Sequence, residues 1–316
     1  MTAAQNNTKG ILFILIGMIV FSIQDALIKF IYEDTALYEL YLGRTLSAAF
    51  FLFCYMKFTK QKVNFKTHYP LLTTIRIICF FFGFSFFYIS LTYMSLAMAN
   101  ALFFSSPFFV SILAVIFLNE KVGIRRWLAI SAGFIGVFIV LNPDFNEFDY
   151  KKLAPIACAL CYSISMTITK YTSDKDNSYT QMMHLYFGAT IISILFFIFT
   201  ADGQFNTSSD PTFQFIFREW FINPTYAWPI IILMGFIGAL AFFCVFNAYS
   251  IASPSVVSLY EYSLIIWSII IGYILFDNIP TLRTFVGVSI IIGAGIYIYL
   301  REKVKDQMIV TDTPNR

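Results

Sequence analysis

The sequence predicts an all-α integral membrane protein with ten transmembrane helices arranged as two inverted five-helix repeats. Three observations predict it. First, 59% of the 316 residues are apolar and only 12% are Asp, Glu, Lys or Arg, about half the charged share of a soluble domain. Second, apolar runs of roughly 20 residues, the length that crosses a bilayer as a helix, recur along the whole chain. Third, residue groups from the first half return in the same order in the second. A soluble fold with 38 Phe would lack the polar surface to cover its core. The composition therefore excludes a cytosolic enzyme, a disordered chain and a secreted disulfide scaffold.

Charges, prolines and polar clusters set the element boundaries. Residues 1–9 form a short polar N-terminus with one charge, Lys9. No small-residue cleavage site follows the first apolar run, so that run reads as an uncleaved span. The first repeat, 10–142, contains spans at 10–32, 36–56, 70–94, 97–118 and 124–142. A linker, 143–151, leads to the second repeat, 152–300, with spans at 152–171, 178–200, 227–250, 252–276 and 282–300, and a tail at 301–316. Short connections force neighbouring helices to run antiparallel.

The basic residues orient the bundle. Lys9, the basic residues of 57–66, 121–126, 170–175 and the C-terminal tail fall on one side; Lys29, Lys151, Lys152, Arg218 and Arg283 fall on the other. The positive-inside rule then predicts cytoplasmic N- and C-termini in a bacterial inner membrane. In the long connection 201–226, Phe213, Ile216, Phe217, Trp220 and Phe221 follow helical spacing. This predicts a short helix on the outer membrane surface, with Trp220, Tyr226 and Trp228 as aromatic anchors.

The repeat is read from ordered matches. Phe21-Ser22-Ile23…Lys29-Phe30 matches Tyr162-Ser163-Ile164…Lys170-Tyr171; Ser95-Leu96-Ala97 matches Ser250-Ile251-Ala252; Arg125…Ser131 matches Arg283…Ser289. Five helices per half is an odd number, so the second half crosses in the opposite sense. Inverted repeats typify secondary transporters, whose substrate site lies near the midplane between the halves.

On Arg44, Ser95-Leu96-Ala97-Met98-Ala99-Asn100-Ala101, Pro107 to Leu118-Asn119-Glu120-Lys121, Ala252-Ser253-Pro254-Ser255 and Ile271-Gly272…Phe276-Asp277-Asn278-Ile279-Pro280, the chain resembles the ten-helix EamA-type drug/metabolite transporters. Members of that family usually carry Gly-Glu or Asn-Glu at the ends of the fourth and ninth helices. The second copy here is Asp277-Asn278, which reads as a helix cap. The ninth-helix stretch Tyr260-Glu261-Tyr262 is similar to members that carry S-adenosylmethionine, riboflavin or related metabolites.

Polar groups inside spans are costly and face a cavity or a partner. Glu261 lies deep in its span and fits two roles: a proton acceptor for coupling, or a cation site helped by the rings of Tyr260 and Tyr262. A structural ion pair with an in-span arginine is the alternative. Arg44 and Arg76 suit a carboxylate or phosphate, and Arg76 can instead snorkel to headgroups. Asp25 and Lys29 stand at i, i+4, as a local ion pair or a gate. Gln24 is a further substrate-contact candidate, pointing about 100° away from Asp25. Asn100 and Asn247 suit substrate contacts or helix–helix bonds. His184 suits a proton shuttle or an interface, and Trp267 suits stacking on a planar substrate or packing.

The expected activity is alternating-access transport of a small organic metabolite, an amino acid or an amino-acid- or nucleoside-like derivative. Coupling to protons or to a counter-substrate is open, as is the choice between monomer and homodimer. Membrane lipids are the other expected partners. The alternatives are a broad-specificity drug exporter and a receptor or scaffold that binds without flux. No enzyme, cofactor or metal is expected. Cys54, Cys79, Cys158, Cys161 and Cys244 lie in apolar runs without framework spacing and read as packing thiols. His68 and His184 cannot form an HExxH pair, and a P-loop is absent. The net charge of +3, without a basic stripe, argues against nucleic acid.

Overall fold

A computed structural model describes residues 3–61, 65–120, 123–141, 150–279 and 281–311. The helices are α1 (Ala3–Ile31), α2 (Leu37–Phe58), α3 (Pro70–Ser90), α4 (Leu96–Phe103), α5 (Ser106–Leu118), α6 (Ile124–Leu141), α7 (Leu153–Thr172), α8 (Ser178–Thr200), α9 (Pro211–Phe217), α10 (Ala227–Ile251), α11 (Pro254–Tyr260), α12 (Ser263–Phe276) and α13 (Leu282–Thr311). Among the described residues, seven helical stretches are long and apolar enough to cross a membrane, counting α4–α5 and α11–α12 as one each. The α2 helix and the shorter apolar stretches Trp127–Val140 and Leu282–Ala294 run with them.

Packing follows a two-fold pattern. The α1 helix lies against α10, and α7 lies against α3; α2 meets α8, and α6 meets α13. The broken helices exchange in the same way: α12 contacts α4, and α11 contacts α5. Close approach depends on missing side chains at α6–α13. A Cβ on Gly136 would fall 2.7 Å from the Gly287 carbonyl, and one on Gly287 would fall 2.6 Å from the Gly136 carbonyl. Small residues let membrane helices touch backbone to backbone where no hydrophobic force drives them together.

Two spans expected to be continuous are interrupted. Between α4 and α5 the backbone tightens to i→i+3 bonds, Phe104 N–H to Ala101 O and Ser105 N–H to Leu102 O. Pro107 then enters the first turn of α5, where its missing N–H costs nothing. Between α11 and α12 the same tightening joins Glu261 N–H to Ser258 O and Leu264 N–H to Glu261 O. The Ser263 hydroxyl donates to Tyr260 O at 2.8 Å and so competes with the helical ladder. Both broken spans end alike. Asn119 and Asp277 take left-handed φ values of 53° and 51°, and the next N–H reaches back to Ala114 O and Gly272 O respectively, each at 3.1 Å. At both ends a short polar residue tolerates the left-handed conformation and turns the chain back on the helix.

The third span stops at Ser90, followed by a turn, rather than reaching residue 94. In the long connection only Pro211–Phe217 is helical. Asp210 caps it, accepting from the Thr212 and Phe213 N–H groups. Phe221 has φ 64°, and Trp220 is buried against Phe197 with ring centroids 5.3 Å apart. The helical spacing therefore does not continue to these two residues, and Trp220 packs as core. This segment is tied to the ends of α1 and α2: Arg218 donates to Glu33 O, Tyr226 to Asp34, and Asn223 to Glu39 at 2.6 Å.

Candidate functional site

The two broken spans meet α1, α3 and α7 in the centre of the bundle. There, Met18, Phe21, Asp25, Phe84, Phe87, Asn100, Phe103, Tyr162 and Leu264 line a cavity of roughly 20 Å3, room for about one water molecule. The polar part of its wall is incomplete. Asp25 Oδ1 and both amide atoms of Asn100 are buried without a hydrogen-bond partner, although the two side chains are near neighbours. Among the described residues Asp25 makes no ion pair. The rest of the wall is aromatic. Phe84 and Tyr162 cross at 84° with centroids 6.4 Å apart, Phe103 and Tyr162 at 64° and 5.2 Å, and Phe87 and Phe103 at 72° and 5.9 Å.

One layer behind Tyr162 lies Glu261, at the α11–α12 break and inaccessible to solvent. Its Oε1 accepts from the hydroxyls of Tyr162 and Tyr249, each at 2.6 Å. Its Oε2 accepts from Ser106 at 3.5 Å. The carboxylate thus ties both helix breaks to α7 and α10. Neither Arg44 nor Arg76 pairs with it.

Arg44 lies on α2 beside the site. It donates to the Tyr88 hydroxyl, its guanidinium lies 5.1 and 5.3 Å from the centroids of Tyr41 and Tyr88, and it is within electrostatic range of Asp25. Gln24 donates to the same hydroxyl at 3.3 Å, so it faces away from the cavity that Asp25 lines. Arg76 does not reach headgroups. It is fully buried and donates to Gln181 Oε1 at 2.5 Å, while its Nε and second terminal nitrogen lack partners.

Lys29 does not pair with Asp25. Its Nζ donates to Leu91 O at 2.9 Å and Met94 O at 3.0 Å, carbonyls of the turn that follows α3. Lys170, its counterpart in the second repeat, donates to Ser250 O at the end of α10 at 3.1 Å. The remaining candidates lie away from the cavity. Asn247 donates to Phe243 O within its own helix. His184 Nε2 lies 2.9 Å from Phe65 O. Tyr260 and Tyr262 line a separate groove with Ile11, Leu15 and Ile292, and half-buried Trp267 lines neither. Residues 65–69 and 173–177 meet on the N-terminal face, where Asp176 accepts from Thr67 and from the His68 backbone N–H. Burial pushes the Asp176 carboxyl up, but these bonds outweigh it and hold the group below the usual carboxylate range.

Sequence reasoning missed Tyr88, Tyr162, Tyr249, Ser106 and the four phenylalanines. One signal was available: the repeat pairs Phe21 with Tyr162, and both line the cavity. Among the described residues no group of His, Cys, Asp and Glu could hold a metal ion.

Comparison with known proteins places this architecture. The profile of the EamA-like transporter family matches residues 8–142 and again 152–301. The chain is 26% identical over 303 residues to an S-adenosylmethionine uptake transporter of Rickettsia felis, covering 95% of this chain and 96% of that protein. It is 27% identical over 198 residues to a riboflavin transporter of Vibrio cholerae, covering 63% and 60%. A solved crystal structure shares the fold at a TM-score of 0.68 and 12% identity, over 95% of this chain and 98% of that one. The chain belongs to the EamA-like transporter family. It is a multi-pass membrane protein and a transporter rather than an enzyme.

Proposed function

We propose that this EamA-like transporter carries an amino-acid- or nucleoside-like metabolite of the S-adenosylmethionine class, through the central cavity, by alternating access. The observation that carries the reading is the cavity wall. It joins flat aromatic rings to two polar side chains: Asp25, whose Oδ1 has no hydrogen-bond partner among the described residues, and Asn100, whose two amide atoms have none either. Buried polar groups are bonded as a rule, and the exceptions mark places where something else binds. A ligand with a planar ring and polar ends supplies what both parts lack. The near-complete overlap with S-adenosylmethionine uptake transporters favours that class over flavins.

The narrow cavity is where the substrate is held, and the two helix breaks are the joints that let either half move. Glu261 then acts as the fastening between the joints. The surplus of basic residues on the N-terminal side supports an inner-membrane orientation with cytoplasmic termini. Uptake of radiolabelled S-adenosylmethionine into proteoliposomes containing the full chain tests the reading. Saturable uptake blocked by unlabelled S-adenosylmethionine and insensitive to riboflavin is expected. Uptake of riboflavin alone overturns it.

A further inference from the structure

We infer that Asp25 and the rings of Phe21, Phe84, Phe87, Phe103 and Tyr162 form a subsite for a methylated onium group, the positively charged sulfur or nitrogen of the substrate. The inference rests on the transport reading above and specifies which part of the ligand enters the cavity.

Three features carry it. The first is the charge of Asp25. A carboxylate withdrawn from water needs an opposite charge or a full set of donors. Asp25 is 3% exposed and has neither at Oδ1. The neighbouring cation, Arg44, is held by Tyr88 between two rings and does not line the cavity. Lys29, one turn along the same helix, is turned to the carbonyls of Leu91 and Met94. Both cations near Asp25 are therefore committed elsewhere.

The second feature is the wall. Tyr162 and Phe103 meet at 64°, Phe84 and Tyr162 at 84°, and Phe87 and Phe103 at 72°. Rings set at steep angles enclose a volume from several sides, and π faces attract a cation that has no N–H to donate. A methylated onium is such a cation. A primary ammonium would need hydrogen-bond acceptors that this wall does not provide beyond Asp25 and Asn100.

The third feature is size. The cavity of roughly 20 Å3 admits a small substituent, and the rest of the substrate requires the breaks beside Phe103 and Leu264 to open. The positive centre is thus the part of the ligand that fits between these rings without the breaks opening. No covalent step is involved. The subsite discriminates by charge and shape alone.

S-adenosylmethionine and S-adenosylhomocysteine differ by the methyl group that makes the sulfur a cation, and they share every other group. Binding of each to the purified full chain, read by thermal stabilisation, is measured together with uptake into proteoliposomes. Wild type is expected to prefer S-adenosylmethionine by about tenfold or more, the scale of one desolvated cation–π contact. Asp25→Asn is expected to remove that preference by weakening the sulfonium compound and leaving the thioether within about twofold. Phe103→Leu, which keeps the charge, is expected to reduce the preference in the same direction and keeps the test alive if Asp25→Asn does not fold. Equal preference in wild type, or equal weakening of both compounds by both variants, overturns the subsite and leaves S-adenosylmethionine-class transport standing. Uptake of riboflavin with neither adenosyl compound overturns the transport reading itself.

Discussion

Glu261 and Asp25 are both carboxylates buried at the centre of the bundle, and their surroundings differ in kind. Glu261 receives three hydroxyls, from α5, α7 and α10. Asp25 lines a cavity with one oxygen unmatched, beside an asparagine whose amide is also unmatched. Removing a satisfied group strands its partners, whereas removing an unsatisfied one strands nothing. A carboxylate with its full set of donors is expected to hold the protein together, and one left unmatched at a cavity wall is open to a ligand. Tyr162 joins the two regions, with its hydroxyl on Glu261 and its ring on the cavity.

The largest effect is expected at Glu261. Glu261→Leu leaves the Tyr162 and Tyr249 hydroxyls buried without an acceptor, a loss of about 3 kcal/mol at roughly 1–3 kcal/mol per stranded group. The unfolding midpoint in detergent should fall sharply. Glu261→Gln keeps one acceptor oxygen and should fall less. If the two variants unfold together with wild type, Glu261 holds nothing and the comparison is broken.

Asp25→Leu should move the other way. Replacing an unmatched buried polar group by an apolar one of similar size is neutral or stabilising by up to about 2 kcal/mol. The midpoint should hold or rise while S-adenosylmethionine uptake is lost. Loss of stability together with uptake would make Asp25 structural and remove the contrast with Glu261.

These two regions were unequally legible in the sequence. Spans and the repeat could be read because apolar length and ordered matches are local in the chain. Glu261 and Asp25 both stood out as charges within apolar runs. Their environments could not be read, since Tyr249 and Ser106 come from other helices and no spacing links them to residue 261. The expected Asp25–Lys29 pair failed for a similar reason: the i, i+4 geometry was available, but the turn after α3 offered Lys29 two carbonyl acceptors at once. The breaks at Ser105 and Glu261 were hidden because each lies inside a run long and apolar enough on average to read as one span; Pro107 marked the first.

The lysines sharpen the comparison between the repeats themselves. Lys29 and Lys170 occupy matching places: Lys29 donates to carbonyls of the turn that follows its repeat's third span, and Lys170 to a carbonyl in the last turn of its own. Lys29→Met and Lys170→Met should each cost about 1 kcal/mol. Comparable drops in unfolding midpoint would show that the halves are equivalent at this contact even though their central carboxylates are not. A drop in only one would extend the asymmetry to the ends of the bundle.

The smallest expected effect lies at Asp176, a carboxylate outside the spans that resembles Glu261 in being matched. Thr67 and His68 supply its donors and hold its carboxyl below the ordinary range. The sign follows from linkage. A carboxyl lowered in the folded state binds its proton more readily when unfolded, so its contribution is fully present above the unfolded value, about 4. That contribution is lost as pH falls through the lowered folded value. The midpoint of wild type should therefore decline below about pH 4 more steeply than that of Asp176→Asn, which has no proton to gain. Parallel curves for the two proteins would show that the bonds from Thr67 and His68 contribute nothing to stability. Matched hydrogen bonds would then be a poor guide to a stabilising role, at Glu261 as well as here.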